Sequence, residues 1–250
     1  METTEKQTNR FGLLGRNIFY SFSQGYFTQK FKDLGLSNYS YENFDIQNIE
    51  ELEDILSLKN LRGFNVTIPY KEEVIPYLDE LDAKAEKIGA VNTIKITKNG
   101  LKGFNTDAFG FQKSLEPFLK PHHTKALILG TGGASKAVKF VLDELGIANT
   151  YVSRQKKEGQ FTYGELDQSI VEEHTVIINC TPLGTHPNIS NKPDIPYSSL
   201  KEKHLLYDLI YNPDKTTFLA LGEARGASIC NGLQMLKLQA EKAWEIWNTP

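Results

Sequence analysis

Residues 125–138 read KALILGTGGASKAV, and this stretch decides which fold the sequence predicts. Lys125–Leu129 form a nearly continuous apolar run, which is typical of a strand buried on both faces of a parallel sheet. Gly130–Gly133 follow as a glycine-rich turn, and Ala134–Leu145 carry the apolar spacing of a helix. The first glycine allows a tight turn, Gly132 lets a diphosphate approach the backbone, and the helix N-terminus offers it N–H groups. This order of elements favours dinucleotide binding over a plain turn.

Strands and helices continue to alternate beyond this stretch. Short apolar runs at Thr150–Ser153, Thr175–Asn179 and Leu205–Leu209 predict three further strands. Leu233–Trp247 reads as one amphipathic helix near the end of the chain. This alternation of strands and helices predicts an α/β domain with a parallel sheet.

The first hundred residues predict a second α/β region. The expected elements are strands at Phe11–Leu14, Tyr39–Phe44 and Leu61–Ile68, and helices at Gly25–Leu34, Asn48–Leu58, Lys71–Leu78 and Ala83–Ile88. Lys98-Asn99-Gly100 lies between the alternating runs Val91–Thr97 and Leu101–Phe104, which predicts a hairpin. Asp107–Leu119 predicts a helix with Asp107 as its N-cap. We place the domain boundary between residues 109 and 110.

Composition excludes several classes of protein. The chain has 250 residues, 28 Lys and Arg against 31 Asp and Glu, and a net charge of −3, without a basic block that would favour a nucleic-acid partner. No apolar run reaches the roughly 18 residues that a membrane span needs, and the opening METTEKQTNR does not read as a secretory signal. Cys180 and Cys230 make neither a disulfide framework nor a zinc site. We therefore expect a cytoplasmic protein without a metal.

The end of the second predicted strand of the parallel sheet selects the cofactor. Enzymes that use NAD usually carry an Asp or Glu there, about 20 residues after the glycine turn, to hold the ribose 2′-hydroxyl. This chain instead reads Ser153-Arg154-Gln155-Lys156-Lys157, and its first carboxylate is Glu158. Arg154 can stack on adenine and pair with a 2′-phosphate. The segment therefore predicts NADP rather than NAD, with a solvated basic turn as the alternative.

Several polar residues of the first region suggest a role in catalysis or binding, and each of them also has a simpler structural interpretation. Lys71 begins a predicted helix, where the helix dipole disfavours a positive charge. Such a position suits a lysine that exchanges a proton. The alternative is an ordinary surface lysine. Asn92 and Asp107 taken alone read as a turn residue and a helix cap. On an extended segment Ser21 and Ser23 would present both hydroxyls on one face, either to a polyhydroxylated ligand or to solvent.

Nine motifs follow one another along most of the chain. They are GLLG (12–15), SFS (21–23), NVTIPYK (65–71), GAVNT (89–93), GFNTD (103–107), GTGGASKAV (130–138), NCTPLGT (179–185), DLIYNP (208–213) and NGLQMLKLQA (231–240). In this order they resemble the shikimate dehydrogenase family from about Phe11 to Trp247. NVTIPYK, GAVNT and GFNTD together are highly specific, whereas the glycine turn alone is not.

The resemblance implies a two-domain α/β fold with its active site in the cleft between the domains. Residues 1–109 and 233–250 would form an N-terminal α/β substrate domain, and residues 110–232 a Rossmann-type NADP-binding domain. The implied activity is that of an oxidoreductase of the shikimate pathway, which reversibly reduces 3-dehydroshikimate to shikimate with NADPH in aromatic amino acid (chorismate) biosynthesis. The implied partner is this small-molecule substrate, without nucleic acid, membrane or metal, and the implied state is a monomer or homodimer.

The resemblance also implies roles for individual residues. Lys71 and Asp107 fall on the catalytic positions of the family. The positions that contact the hydroxyls and carboxylate of the substrate are occupied by Ser21, Ser23, Thr67, Asn92, Tyr211 and Gln239. The cofactor positions are occupied by Gly130, Thr131, Gly132, Gly133, Ala134, Ser153, Arg154, Leu209 and Gly232.

The chain departs from the usual family pattern in three segments. Ser23-Gln24 stands where Ser-Pro is usual, and Phe27-Thr28 where His-Asn is usual. Ser153-Arg154-Gln155 replaces Asn-Arg-Thr and keeps the arginine. Asn179-Cys180-Thr181 replaces Asn-Ala-Thr, and we expect Cys180 to be a buried packing residue rather than a nucleophile.

Two alternative functions follow from the same residues. The first is a quinate/shikimate dehydrogenase, which keeps the chemistry and changes the substrate. The second belongs to another class, a non-catalytic NADP-binding sensor module. The presence of both Lys71 and Asp107 disfavours the sensor module.

Overall fold

A computed structural model describes residues 8–19 and 21–249 of the chain. Its strands are β1 (Asn9–Gly15), β2 (Tyr39–Asp45), β3 (Leu61–Val66), β4 (Glu80–Leu81), β5 (Thr93–Thr97), β6 (Gly100–Phe104), β7 (Lys125–Leu129), β8 (Ala148–Ser153), β9 (Phe161–Thr162), β10 (Val176–Asn179), β11 (Leu205–Asp208) and β12 (Ser228–Cys230). Its α-helices are α1 (Phe22–Asp33), α2 (Leu52–Leu56), α3 (Ala83–Ile88), α4 (Asp107–Leu115), α5 (Gly133–Glu144), α6 (Gln168–Glu173), α7 (Thr217–Glu223) and α8 (Leu233–Asn248).

The chain divides into two compact units, each built on its own six-stranded sheet. The N-terminal unit comprises the residues up to Thr106 and those from Ala240 onward, and the central unit comprises Asp107–Gln239. The first sheet has the order β2-β1-β3-β5-β6-β4 and is mixed, because β5 runs antiparallel to both of its neighbours. The second has the order β12-β11-β10-β7-β8-β9 and is parallel throughout. These two sheets confirm the predicted α/β fold class, while the functional domain boundaries given above stay a prediction.

The core of the central unit is built around β7, the apolar run that first indicated this fold. β7 pairs with β10 on one side and with β8 on the other, so neither of its edges is open to solvent. Four of its five residues, Ala126 to Leu129, are fully buried. On one face, Leu127 and Leu129 pack in a cluster with Phe218 of α7. The sheet therefore holds the glycine turn that follows β7 on a rigid support.

The sheet of the N-terminal unit buries apolar side chains on both faces. Phe11 and Leu13 of β1 lie in one cluster, and Leu14 lies in the other, as the two-residue period of a strand requires. The first cluster also receives the end of α8, where the Phe11 and Trp247 ring centroids are 4.8 Å apart. The buried Trp247 indole Nε1 donates a hydrogen bond to the Ile94 carbonyl oxygen at 3.0 Å. This bond ties the last turns of α8 to β5.

The predicted helix at Lys71–Leu78 is wrong. Residues 68–74 form successive turns, and only residues 75–77 make a short 3₁₀ helix. The Lys71 carbonyl oxygen accepts a hydrogen bond from the Val91 N–H at 2.7 Å, while the Ile75 N–H donates to Glu72 instead. The Lys71 carbonyl is therefore not available for an α-helical hydrogen bond, and no helix begins at Lys71. A helix dipole consequently does not act on its side chain.

Other differences concern where short elements begin and end. Residues 48–58, predicted as one helix, contain a 3₁₀ turn at Ile49–Glu51 followed by α2. The predicted helix Asp107–Leu119 ends as α4 at Leu115, because Pro117 has no N–H to continue it. Asp107 is the first residue of α4 rather than its N-cap. The short elements β4, β9, β12, α6 and α7 were not predicted.

A pair of glycine substitutions tests the packing of α8 on the first sheet. A Cβ atom on Gly63 would lie 2.5 Å from Trp247 Nε1 and 2.6 Å from the Ile94 oxygen, so we expect Gly63→Ala to lower the free energy of unfolding by about 1–3 kcal/mol. Gly25 lies inside α1 with open space around it, so Gly25→Ala should raise that free energy by about 0.5–1 kcal/mol. Urea unfolding measures both variants. Equal shifts of the same sign would contradict the expectation.

Candidate functional site

Five of the predicted site residues belong to segments at one edge of the first sheet. The parallel strands β1 and β3 both end at this edge, and the antiparallel β5 begins there, with Thr93 opposite Asn65. The segments that leave or enter the sheet here carry Ser21, Ser23, Thr67, Lys71 and Asn92. The topology therefore gathers hydroxyl, amide and amine side chains that are up to 71 positions apart in the sequence.

A chain of hydrogen bonds connects two of these residues, Ser23 and Asn92. The Tyr41 hydroxyl is hydrogen-bonded to Ser23 and donates to Asn65 Oδ1 at 2.8 Å. Asn65 Nδ2 in turn donates to the Asn92 carbonyl oxygen at 3.2 Å and to Thr93 Oγ1 at 3.0 Å. Burial raises the pKa of the Tyr41 phenol, which keeps it a hydrogen-bond donor. Both predicted substrate residues are thus held by buried polar neighbours.

The side-chain amide of Asn92 is held from a second side. Its Oδ1 accepts a hydrogen bond from the Thr106 N–H at 2.7 Å, and its Nδ2 lies 3.0 Å from Thr106 Oγ1. The Thr106 and Thr93 hydroxyls are 3.2 Å apart, which closes the network. Asn92 is only 2% exposed, so its orientation is set by these contacts. Sequence reasoning found Asn92 and did not find Tyr41, whose place in the network depends on a neighbouring strand.

Lys71 is placed by the residues on either side of it. Tyr70 is fully buried, its hydroxyl donates to the Ile46 carbonyl oxygen at 2.9 Å, and the Arg16 guanidinium lies 5.4 Å from its ring centroid. The Lys71 carbonyl oxygen accepts a hydrogen bond from the N–H of Val91, the residue before Asn92. The half-buried Lys71 therefore stands in a turn held next to the Asn92 segment.

The other three substrate or catalytic predictions, Asp107, Tyr211 and Gln239, lie in the central unit. Asp107 is buried at the start of α4, and Tyr211 follows β11. α4 approaches α8 closely at Gly110, where a Cβ atom would lie 2.5 Å from the Met235 oxygen and 3.2 Å from the Gln239 nitrogen. Gln239 therefore packs one helical turn from Asp107 along α4.

The glycine turn after β7 fits a diphosphate. Gly130 has a φ of +99°, a conformation that favours glycine, and a Cβ atom there would lie 3.0 Å from Thr181 Cγ2. Gly132 is the N-cap of the twelve-residue α5, and no atom lies within 4 Å of the Cβ position built on it. The turn leaves open space at a helix N-terminus, which is the arrangement that binds phosphate groups. Thr131 is exposed, and Gly133 and Ala134 are half-buried in the first turn of α5.

The basic segment after β8 places Arg154 at the same edge of the sheet. The Ser153 hydroxyl donates to the Gln155 carbonyl oxygen, and Arg154 is exposed. Lys156 pairs with Glu165 at 2.6 Å. Hydrogen bonds from Lys156 and Thr162 lower the pKa of Glu165 to about 2. The Glu165 carboxylate is therefore held by Lys156 and by the turn that begins at Thr162.

Leu209 and Gly232, the two remaining cofactor predictions, meet directly. A Cβ atom on Gly232 would lie 2.0 Å from the Leu209 carbonyl oxygen, so no other residue fits there without a backbone shift. The Gly232 N–H donates to the Ile210 oxygen at 3.0 Å. The segments after β11 and β12 are therefore held against each other.

A buried polar cluster that sequence reasoning missed joins the ends of β10 and β11. Asp208 accepts hydrogen bonds from Thr216 Oγ1 at 2.6 Å, the Ile210 N–H at 3.0 Å and Asn179 Nδ2 at 3.1 Å. Asn179 Oδ1 also accepts from the Thr181 N–H at 3.0 Å. Burial raises the pKa of Asp208 to about 6, against the lowering effect of its three donors. The motifs NCTPLGT and DLIYNP contain all of these residues except Thr216, and only the fold brings them together.

Cys180 lies between Asn179 and Thr181. Burial raises the pKa of its thiol, with a smaller contribution from Asp208, so the thiol form is favoured. This agrees with a packing role, because the reactive form of cysteine is the thiolate. Within residues 8–19 and 21–249, no three His, Cys, Asp or Glu side chains are grouped so that they could hold a metal ion.

Asp208 generates a pH-dependent contribution to stability. Its ordinary pKa is 3.8, so between about pH 4 and pH 6 the folded protein keeps a proton that the unfolded chain releases. This retained proton raises the free energy of unfolding by up to about 3 kcal/mol below pH 4, relative to high pH. The added stability is lost as the pH rises through 6. Asp208→Asn does not titrate, so its stability relative to wild type should increase from pH 5.0 to pH 7.5 in urea unfolding. A constant difference at the two pH values would refute this.

No helix within the described residues is both long and apolar enough to cross a membrane. The sequence is similar to known proteins over most of its length. A profile of the shikimate dehydrogenase substrate binding domain matches residues 13–94. Shikimate dehydrogenase (NADP(+)) of Methanococcus maripaludis is 40% identical over 96% of this chain and 92% of its own length.

Solved structures resemble the fold at similar coverage. Shikimate dehydrogenase from Aquifex aeolicus superimposes with a TM-score of 0.85 at 32% identity, over 98% of this chain and 95% of its own. Shikimate 5-dehydrogenase from Thermus thermophilus, solved in complex with NADP(H) and shikimate, gives a TM-score of 0.83 at 32% identity over 96% of this chain and 93% of its own. With one relative 40% identical over nearly the whole sequence, the chain belongs to the shikimate dehydrogenase family.

Proposed function

We propose that this protein is an NADP-dependent shikimate dehydrogenase, an oxidoreductase that reversibly reduces 3-dehydroshikimate to shikimate with NADPH. The observation that carries the proposal is the occurrence of two kinds of site in one chain. One is the open glycine turn at the start of α5, which suits a dinucleotide. The other is the polar edge of the first sheet, which suits a polyhydroxylated acid. Relatives at 40% identity carry the name shikimate dehydrogenase (NADP(+)).

The central unit is the proposed cofactor unit. N–H groups at the start of α5 hold the diphosphate, with Thr131 and Ala134 flanking the glycines. Arg154 pairs with the 2′-phosphate, and Ser153 shapes the same turn through its bond to Gln155. The backbone at Leu209 and Gly232 borders the other half of the dinucleotide. NADPH, when bound, supplies the hydride that reduces the substrate carbonyl.

Substrate binding is assigned to hydroxyl and amide groups. Ser21, Ser23, Thr67, Asn92, Tyr211 and Gln239 hydrogen-bond the hydroxyls and the carboxylate of shikimate. The buried contacts of Ser23 and Asn92 limit the orientations that these two side chains adopt, which reduces the entropy lost on binding. This arrangement selects a ligand whose hydroxyls match donors already in place.

Lys71 and Asp107 perform the proton chemistry in this proposal. Reduction places negative charge on the oxygen at C3, and the Lys71 ammonium stabilises that charge and donates its proton to it. In the reverse direction the Lys71 amine takes the proton back. Asp107 is the second member of the proposed catalytic pair and helps to orient the neighbouring C4 hydroxyl. A cytoplasmic location and a monomeric or homodimeric state complete the proposal.

The test is a spectrophotometric assay of the purified protein. Shikimate and quinate are each offered with NADP⁺ and with NAD⁺, and the absorbance of the reduced nicotinamide is followed. We expect turnover with shikimate and NADP⁺. Turnover with quinate as well would change the assignment to a quinate/shikimate dehydrogenase. Binding of NADP⁺ without turnover of either acid would support a non-catalytic sensor module.

Lys71→Ala should lower kcat by about 1,000-fold or more and leave the KM for shikimate little changed, because the proton donor is needed mainly in the transition state. Lys87→Ala, on the exposed surface of α3, is the control and should keep wild-type kinetics. Steady-state rates with shikimate and NADP⁺ measure both variants. A loss confined to KM would make Lys71 a binding residue instead.

Arg154→Leu should weaken NADP⁺ binding by about 10- to 100-fold and change NAD⁺ binding far less, since only NADP⁺ carries the 2′-phosphate. Arg225→Leu, at an exposed position after α7, removes the same charge elsewhere and should change neither. Isothermal titration with the two cofactors measures the ratio of their Kd values. An equal loss for both cofactors would rule out the 2′-phosphate contact.

A further inference from the structure

The loop between β1 and α1, together with the first turn of α1, carries Ser21 and Ser23, two of the proposed substrate residues. Strand β2 pairs with β1, and three of its side chains bind this part of the chain: those of Tyr41, Asn43 and Asp45. Because these three are two positions apart, they lie on one face of the strand. Tyr41 is hydrogen-bonded to Ser23, whereas Asn43 and Asp45 have no assigned role.

Asn43 joins the two ends of this loop. Its Nδ2 donates hydrogen bonds to the Ile18 carbonyl oxygen at 3.0 Å and to Gln24 Oε1 at 3.2 Å. Ile18 precedes the two serines, and Gln24 follows them. The Asp45 carboxylate holds the start of the loop as well, because it accepts hydrogen bonds from the N–H groups of Asn17 at 2.8 Å and of Ile18 at 3.0 Å. Strand β2 therefore fixes residues on both sides of the serines.

Two features of this arrangement are destabilising. Asn17 has a φ of +56°, in the left-handed region, which costs a residue other than glycine about 1 kcal/mol or more. Asn43 Oδ1 is buried and has no hydrogen-bond partner within the described residues. Strained backbone is concentrated at functional sites, where the surrounding structure holds it in place. Both features therefore indicate that the loop conformation serves binding rather than stability alone.

The loop itself supplies little that would fix its conformation. Ile18 is buried, but the next residue, Phe19, is 84% exposed. Gln24 stands where the family usually has proline, so the ring that would restrict the backbone there is absent. The hydrogen bonds from β2 are therefore needed to hold the serines in place.

We propose that Asn43 and Asp45 are positioning residues for the substrate, because they hold the loop in the conformation that presents the Ser21 and Ser23 hydroxyls to it. The proposal rests on the proposed function, which assigns both serines to shikimate. A loop that is ordered before the ligand arrives loses less entropy on binding. The KM for shikimate, rather than kcat, should therefore respond when these hydrogen bonds are removed.

Asn43→Ala removes the two donated hydrogen bonds, and Asp45→Ala removes the two accepted ones. We expect each variant to raise the KM for shikimate by about 5- to 20-fold and to change kcat and the KM for NADP⁺ by less than about twofold. Loss of the Asp45 charge alone would favour an anionic substrate, so a higher KM in that variant identifies the loop as its cause. Asp45 is exposed, so Asp45→Ala tests the proposal even if Asn43→Ala lowers the Tm.

Removal of the two hydroxyls separates positioning from a general effect on the fold. In a variant that carries Ser21→Ala and Ser23→Ala, the further change Asn43→Ala should alter kcat/KM for shikimate by less than about twofold, because the groups that Asn43 positions are gone. Asn9→Ala is the matched control. Asn9 is half-buried on β1 at the opposite end of the same sheet, where its Oδ1 accepts a hydrogen bond from Arg62 Nε at 2.8 Å, so this variant should keep the wild-type KM.

A wild-type KM in both single variants would overturn the inference. An equal loss of kcat/KM with and without the serine hydroxyls would also overturn it, as would a fall in kcat as large as the rise in KM. If wild type did not turn over shikimate, the proposed function would fail and this role with it. That result is distinct from unchanged kinetics of the variants of an active enzyme.

Discussion

Where parallel strands end and separate, their last backbone groups lose the partners that the sheet supplied, and buried side chains must take over. This requirement shapes the carboxyl ends of both sheets. In the central sheet Asn179 and Asp208, the final residues of β10 and β11, bond to each other and to the loops that follow. In the first sheet the Asn65 side chain performs the same task, because it donates to the Asn92 carbonyl oxygen just before the strand that begins at Thr93. The polar groups that satisfy the backbone also stand beside the residues assigned to ligands.

The two candidate regions differ in how much space they leave. Asn92 and Asp107 are 2% exposed. The glycine turn, by contrast, presents backbone rather than side chains, and space remains around Gly132. Directional recognition of a small acid needs side chains whose orientation is set in advance, whereas a diphosphate needs room to meet several N–H groups. In the proposed function, the polar edge of the first sheet would meet the first need and the glycine turn of the central unit the second.

The sequence predicted those parts of the fold whose cause is local. The helix at Ala83–Ile88 and the strand at Lys125–Leu129 were found with their observed bounds, since the capping Asp82 is adjacent to the helix and the run of apolar residues is the strand itself. The turn at Lys71 was missed, because the Val91 N–H that takes its carbonyl is 20 positions away. Tyr41 was missed for a related reason. Its surroundings, and not its residue type, distinguish it from other tyrosines. The motifs identified the cofactor and substrate segments, while the hydrogen bonds that orient them could be read only from the assembled sheets.

The path of α8 has a spectroscopic consequence. This helix begins in the central unit and continues past residue 239 into the N-terminal unit. The chain has two tryptophans, and both, Trp244 and Trp247, lie in the later part, among the aromatic rings that cover the first sheet. Intrinsic tryptophan emission therefore reports on the N-terminal unit alone. Far-ultraviolet circular dichroism, by contrast, reports on the helices and strands of both units. A difference between the two unfolding curves would therefore show whether the two units unfold together.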